Sequence, residues 1–192
     1  AFLAALMGGL RRYHEIHGSE VGSLRVNIPV SIRTEGDDAM ANAVSIARVE
    51  LDAAEQDVAA RFTQAAEVVR AARSEPVLPF ADLAADASRL LPVDVIAEAA
   101  KASDITASNV PGLPATVWIG GAVLERLYPI VPTMGAAANI TMLSYAGTHC
   151  SIGVSTDDAA IADPDAFMEC LAEGFSEIGA APEPDPFDPL AR

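Results

Sequence analysis

The sequence predicts an α/β domain of the α+β kind, and three observations predict it. Leu3, Leu6, Met7, Leu10, Tyr13 and His17 recur at helical spacing. Leu24, Val26, Ile28, Val30 and Ile32 then alternate strictly with Arg25, Asn27, Pro29, Ser31 and Arg33, the period of a strand with two unlike faces. From residue 105 onward the composition turns to β-branched residues, Gly and Pro, which places most of the sheet in the second half. Just over half of the 192 residues are hydrophobic and a fifth are charged, a balance that fills a core and argues against global disorder. A chain of this length buries roughly 70% of the surface it exposes when unfolded.

The elements follow in order. The first helix is expected over residues 1 to 17, with Gly18 where a left-handed C-terminal cap would sit. In the strand that follows, Pro29 lacks a backbone donor, so part of that strand should be an edge or a bulge. Gly36, Asp37 and Asp38 form a loop that leads through Asn42 into a second strand, with Val44, Ile46, Val49 and Leu51 directed inward. Asp52 is placed to cap a long helix whose seam is Val58, Phe62, Ala65, Val69 and Ala72, ending before Pro76. Two shorter helices are expected around 80–91 and 93–101, separated by Pro92.

Strands are then expected over Ile105 to Val110, Ala115 to Ile119, Ala122 to Leu127, Ala137 to Tyr145 and Cys150 to Ser155. Gly120-Gly121 and Ala146-Gly147-Thr148 read as turns. Asp163 followed by Pro164 reads as an N-cap with Pro at the first helical position, and Phe167, Cys170, Leu171, Phe175 and Ile178 give the last helix one apolar face. Beyond residue 179, Pro182, Pro184, Pro186 and Pro189 alternate with acids, the pattern of a disordered tail over 180–192.

Charge excludes one class of partner. A formal charge of −15, with one Lys and eleven Arg, repels phosphate backbones, so no nucleic-acid binding is expected. No apolar run approaches the ~20 residues that span a bilayer, and Arg11 and Arg12 interrupt the opening segment, unlike a signal peptide. A cytoplasmic protein is expected. Cys150 and Cys170 lie among apolar residues without ligand spacing and read as reduced core thiols. Ala1 in place of Met, with a helical pattern already running at Phe2, reads as a piece of a longer polypeptide.

Several groups invite chemical readings that their context weakens. His149, Cys150 and Asp157 suggest a nucleophile and base, yet neighbours in a strand point to opposite faces. His14 and His17 could form half of a metal site, but no carboxylate or Cys completes it. Asp157, Asp158, Asp163 and Asp165 lack the ligand period of a Ca²⁺ loop and read as turn and cap residues. Gly8-Gly9 and Gly120-Gly121 lack the strand-to-helix setting of a phosphate loop. No metal site and no cofactor are therefore expected. The most informative segment is Thr106 to Pro114: Ser108 and Asn109 offer a hydroxyl and an amide at a strand end, and Pro111-Gly112 turns the backbone sharply. By itself it fits a ligand-lining strand end and an ordinary turn equally well.

Ser108-Asn109-Val110-Pro111-Gly112 resembles the Ser-Asn-Val-Pro-Gly signature in the C-terminal half of the bacterial wax ester synthase/diacylglycerol acyltransferases, the triacylglycerol synthase family. Other blocks agree in order: the helix from Leu3 to Tyr13, Arg25 to Arg33 with its Pro-Val-Ser-hydrophobic-Arg strand, Tyr128-Pro129, Ser144 to Gly147, and Asp163 to Asp165. At Asn42 the family usually has Gly-Asn, whereas Ala41 precedes it here. The resemblance covers residues 1–179 and implies a chloramphenicol acetyltransferase-like lobe with a mixed β-sheet flanked by helices. It implies transfer of an acyl group from acyl-CoA, a substrate and not a cofactor, to diacylglycerol or a long-chain alcohol. The family's catalytic HHxxxDG motif belongs to an N-terminal lobe and does not occur in this sequence, so no catalytic residue is expected here.

This lobe would instead be one wall of a substrate tunnel, with Ser108, Asn109 and Gly112 as its first lining candidates and Asn42 and Tyr145 as further ones. The N-terminal lobe is the expected partner, and contact with a membrane or lipid droplet and a homo-oligomer stay open. Two competing readings are a non-catalytic lipid- or acyl-CoA-binding member of the same fold, and a condensation-type enzyme acting on carrier-protein thioesters. The second lacks support, because Trp118 stands in Ala-Thr-Val-Trp-Ile-Gly-Gly and not in a DFGWG-like loop.

Overall fold

A computed structural model describes residues 1–31, 44–73, 103–147 and 149–179. The short helices expected around 80–91 and 93–101, the turn at Asn42 and the tail over 180–192 lie outside the described residues. The elements are α1 (Phe2–Ile16), β1 (Ser23–Ser31), β2 (Val44–Asp52), α2 (Val58–Arg73), β3 (Ile105–Val110), β4 (Trp118–Ile119), β5 (Ala122–Val123), β6 (Ala138–Tyr145), β7 (His149–Thr156) and α3 (Pro164–Glu177).

Five strands form one mixed sheet in the order β2-β1-β3-β6-β7, and β4 and β5 form a separate hairpin. β1, β3 and β6 run parallel, while β2 and β7 close the two edges antiparallel. The parallel β1–β3 ladder holds only from Val26–Ile105 to Asn27–Thr106. Pro29 lies past the last of these pairs, in a stretch paired to β2 alone, so its missing donor costs the sheet nothing on the β3 side. A bidentate clamp fixes the start of the ladder: Arg25 donates through Nη2 and Nε to Asp104 at 2.6 and 3.2 Å, and its backbone N–H adds a third bond at 2.8 Å.

The core lies between the sheet and the helices. α1 is buried on every side from Phe2 to Leu10, and Val26, Leu51, Ile105, Ala107, Ala138 and Ile140 meet it from the strands. α1 and α3 cross with their backbones touching, since a Cβ on Gly174 would stand 2.4 Å from the Ala5 carbonyl oxygen. The expected caps hold at two helix ends. Gly18 takes φ 68° after α1, and Asp163 accepts from the Ala166 N–H at 3.0 Å ahead of Pro164.

Four expectations need correction. In β2 the buried residues are Ser45, Ala47 and Leu51, while Val44 and Ile46 are exposed: they share a face with Arg48 and Glu50, and period 2 forbids that face and Leu51's from both pointing inward. Asp57, and not Asp52, caps α2, accepting from the Ala60 N–H at 2.7 Å; Asp52 closes a turn on the Ala54 N–H instead. The α2 seam holds at Ala65, Val69 and Ala72 but not at Phe62, which is exposed while the neighbouring Arg61 is fully buried in its place. The long strands expected over 115–127 shrink to the two-residue β4 and β5.

Arg61 tolerates burial because it has partners. It donates to the Ala4 carbonyl at 3.1 Å and to the Glu177 carboxylate at 2.5 Å, and Arg12 reaches the same carboxylate at 3.1 Å. Burial would raise the Glu177 pKa, but hydrogen bonds and charge from Arg12 and Arg61 outweigh it and hold the carboxyl below its ordinary range. One ion cluster thereby ties α1, α2 and α3 together.

Candidate functional site

The parallel pairing of β3 and β6 ends at Val110–Leu143, and β6 runs on two residues to Tyr145. At that end the chain leaves β3 through Pro111-Gly112, and the turn is stitched to β6: the Gly112 N–H donates to Ser144 Oγ at 3.1 Å and the Ala146 N–H to the Leu113 carbonyl at 2.8 Å. A Cβ on Gly112 would fall 1.8 Å from the Ser144 carbonyl oxygen, so no other residue fits without moving the backbone. The turn is therefore a built part of the strand end.

Ser108, Asn109, Gly112 and Tyr145 gather at this end of the sheet, while Asn42 lies outside the described residues. They do not share one face. Ser108 stands level with Thr141 and Gly153, and Asn109 with Met142 and Ile152, so their side chains leave opposite sides of the sheet. Ser108 is half-buried and Asn109 exposed. Tyr145 is buried, and its hydroxyl accepts from the Val117 N–H at 3.0 Å and donates to the Leu124 carbonyl at 2.6 Å. Its hydroxyl thus positions the hairpin beside the strand end.

Ser108's face of the sheet carries a polar row that the sequence reading passed over. Asn27, Thr106, Asn139 and Ser155 stand level across four strands. Asn139 and Thr141 are almost wholly buried and hydrogen-bonded to each other at 2.9 Å; Asn139 also donates to the Pro132 carbonyl at 3.2 Å, and Ser103 donates to Asn27 at 2.7 Å. Gly153 admits the Pro129 carbonyl against the sheet, where a Cβ would stand 1.6 Å from it. The segment from Pro129 to Pro132 therefore covers the β6–β7 part of this face. The signal was present, because Asn139 and Thr141 alternate with Ala138, Ile140 and Met142.

The other reactive-looking groups stay apart. His149 and Cys150 stand level with Tyr145 and Ser144 respectively, on opposite faces, which excludes a direct pair. Cys150 is exposed, a correction to its reading as a core thiol that follows from its place at the start of an edge strand; Cys170 is buried as expected, and burial raises its thiol pKa. His14 contacts Ser19 Oγ and His17 the Tyr13 carbonyl, so both work at the end of α1. Among the described residues no group of His, Cys, Asp and Glu could hold a metal ion. The strand end can hold and orient a ligand with backbone, hydroxyl and amide groups.

Comparison with known proteins places this arrangement. The model of the WS/DGAT C-terminal domain matches residues 40–179. A Mycobacterium tuberculosis protein provisionally named a diacylglycerol O-acyltransferase is 34% identical over 181 residues, 93% of this chain and 37% of the relative. The chain thus spans about a third of the length of the curated relatives it matches. Among solved structures, a wax ester synthase/diacylglycerol acyltransferase from Marinobacter aquaeolei superposes with TM-score 0.66 at 19% identity, over 93% of this chain and 42% of that one. A condensation domain of the enacyloxin polyketide synthase superposes with TM-score 0.56 at 14% identity, over 93% of this chain and 35% of that one, which shows the fold alone. The lobe is chloramphenicol acetyltransferase-like, and the chain belongs to the wax ester synthase/diacylglycerol acyltransferase family as its C-terminal domain.

Proposed function

We propose that this chain is the C-terminal half of an O-acyltransferase that moves a long-chain acyl group from acyl-CoA to diacylglycerol or a long-chain alcohol. The observation that carries the proposal is the strand end at Ser108 to Gly112, locked to Ser144 and Ala146 where two parallel strands finish. In open α/β sheets ligands gather outside the carboxyl ends of parallel strands. The half-buried Ser108 and exposed Asn109 supply polar contacts there without supplying a base.

The chemistry is divided between two lobes. A His of the HHxxxDG motif on the N-terminal lobe takes the proton from the acceptor hydroxyl as the oxygen attacks the thioester carbon, and the CoA thiolate leaves. This half forms one wall of the tunnel and holds acyl-CoA and acceptor within attacking distance, a contribution of orientation and not of proton transfer. Supporting the reading are the names of the relatives and the rigidity of the turn. No described helix is long and apolar enough to cross a membrane, so a cytoplasmic enzyme would meet its oily acceptor at a lipid surface.

The test is acyl transfer from a labelled long-chain acyl-CoA to diacylglycerol and to hexadecanol. The expected pattern is an active parent polypeptide, an inactive HHxxxDG His→Ala variant, an inactive 192-residue chain alone and an impaired Asn109→Ala parent. A parent that binds acyl-CoA and transfers to neither acceptor replaces this reading with a lipid-binding one.

A further inference from the structure

The sheet face that carries Ser108 is divided in two. On β6, Asn139 and Thr141 are almost wholly buried, with the segment from Pro129 to Pro132 lying against their part of the face. On β3, Thr106 and Ser108 stand in the same two rows and stay partly exposed. The segment from Pro129 to Pro132 is a strap that crosses from Gly153 on β7 to Asn139 on β6, one strand short of β3. It therefore borders the half of the face that ends at the Pro111-Gly112 turn.

Two devices fix the strap, one at each end. The Pro129 carbonyl sits where a Cβ on Gly153 would stand, so the bare glycine is the hollow that receives it. The Pro132 carbonyl accepts from Asn139 Nδ2 at 3.2 Å. The Asn139 amide is itself oriented from behind, because its oxygen accepts from Thr141 Oγ1 at 2.9 Å. A flipped amide would set its oxygen against the Pro132 carbonyl in a buried place, which is costly. Both anchors also consume the strap's polar atoms: the two carbonyls are turned to the sheet, and neither proline has an N–H to present elsewhere. What the strap offers a neighbour suits a hydrocarbon chain better than a polar group.

We propose that Asn139 and Gly153 are positioning residues of the acyl transfer: they set the strap as a side wall, and the acyl chain of the thioester lies between that wall and the Ser108 end of β3. The inference rests on the acyltransferase reading and adds to it the side of the strand end that the chain takes. Asn109's face is filled behind it by Ile105 and Ala107 in the core, which leaves Ser108's face for the chain. Neither positioning residue reaches the reacting atoms. They act on how well a long chain is held and not on the chemical step.

The test follows the binding of palmitoyl-CoA to the parent polypeptide by calorimetry, and the binding of CoA itself by its displacement of palmitoyl-CoA. A displaced wall loses contact with a long chain and none with the nucleotide. Asn139→Ala and Gly153→Ala should each weaken palmitoyl-CoA binding by about tenfold and leave CoA binding within about twofold. In the transfer assay the same variants should raise KM for palmitoyl-CoA and keep kcat, the sign of a contact made equally in ground and transition states. Both act on one strap, so the double variant should fall well short of a hundredfold loss.

Gly153→Ala keeps every side-chain hydrogen bond, so it decides the matter even where Asn139→Ala fails to fold. Arg61→Met, which weakens the helical side instead, should leave palmitoyl-CoA binding unchanged. Equal weakening toward palmitoyl-CoA and CoA, unchanged palmitoyl-CoA binding in the folded variants, or a fully additive double variant overturns the proposal. A parent that binds palmitoyl-CoA and transfers nothing contradicts the enzyme assignment, and the binding series still decides the strap. A parent that does not bind palmitoyl-CoA overturns both.

Discussion

The helix-packed side of the sheet and the segment from Pro111 to Ala137 are both rich in apolar residues, yet they use them oppositely. Between α1 and the strands the apolar side chains meet one another, and even a guanidinium is drawn in, because the Ala4 carbonyl and Glu177 bind its two terminal nitrogens. In the segment beyond β3 the apolar side chains point outward, while the backbone is pinned by Tyr145, Ser144 and Asn139. The first region buries its hydrophobicity to specify the fold. The second leaves its hydrophobicity exposed on a pinned backbone.

Removing Glu177 should break the first region most severely. It would leave Arg61 buried without its carboxylate, so Glu177→Ala should cost about 3 kcal/mol or more and lower Tm by roughly 10 °C, measured by thermal circular dichroism. Arg61→Met should cost less, since Glu177 keeps Arg12 and partial exposure. At the site, Gly112→Ala forces the turn away from Ser144, and acyl transfer by the parent should fall by about a hundredfold with little change in Tm.

Tyr145→Phe tests whether the two regions are independent. It deletes the hydroxyl bridge between Val117 and Leu124, worth about 1 to 2 kcal/mol locally, so the Val117 amide should exchange faster while the β6 amides keep their protection. Loss of protection throughout the sheet would show that the hairpin supports the core. The smallest effect concerns pH. Hydrogen bonds from Arg25 hold the Asp104 carboxyl below its ordinary range. Its stabilisation is therefore present above the ordinary carboxylate pKa and lost as pH falls through the lowered folded value. Asp104→Asn should reduce stability at pH 7 and flatten the acid limb of the urea midpoint against pH.

The helices and the sheet's strands were readable because their signals are local. The α1 periodicity, the Asp163-Pro164 cap and the alternation from Leu24 to Ser31 each follow from spacing alone. What escaped depends on partners distant in sequence. Arg61 enters the core because of Glu177, 116 residues away, and takes the place expected for Phe62. Val44 and Ile46 are as apolar as Leu51, and the pairing of β2 with β1 decides between them. At the site, the Ser108 to Gly112 turn was recognisable, whereas the insertion of the Tyr145 hydroxyl into a hairpin 21 to 28 residues away had no local trace.

The central claim is that substrate meets this lobe at the joined ends of β3 and β6 and not on its helical side. A long-chain acyl-CoA carrying a photoreactive group near the thioester, cross-linked to the parent polypeptide and mapped by peptide mass, tests it directly. Labels within residues 106–113 or 141–147, suppressed by unlabelled acyl-CoA, are the predicted result. Competable labels confined to α2 and α3 within this half would contradict it.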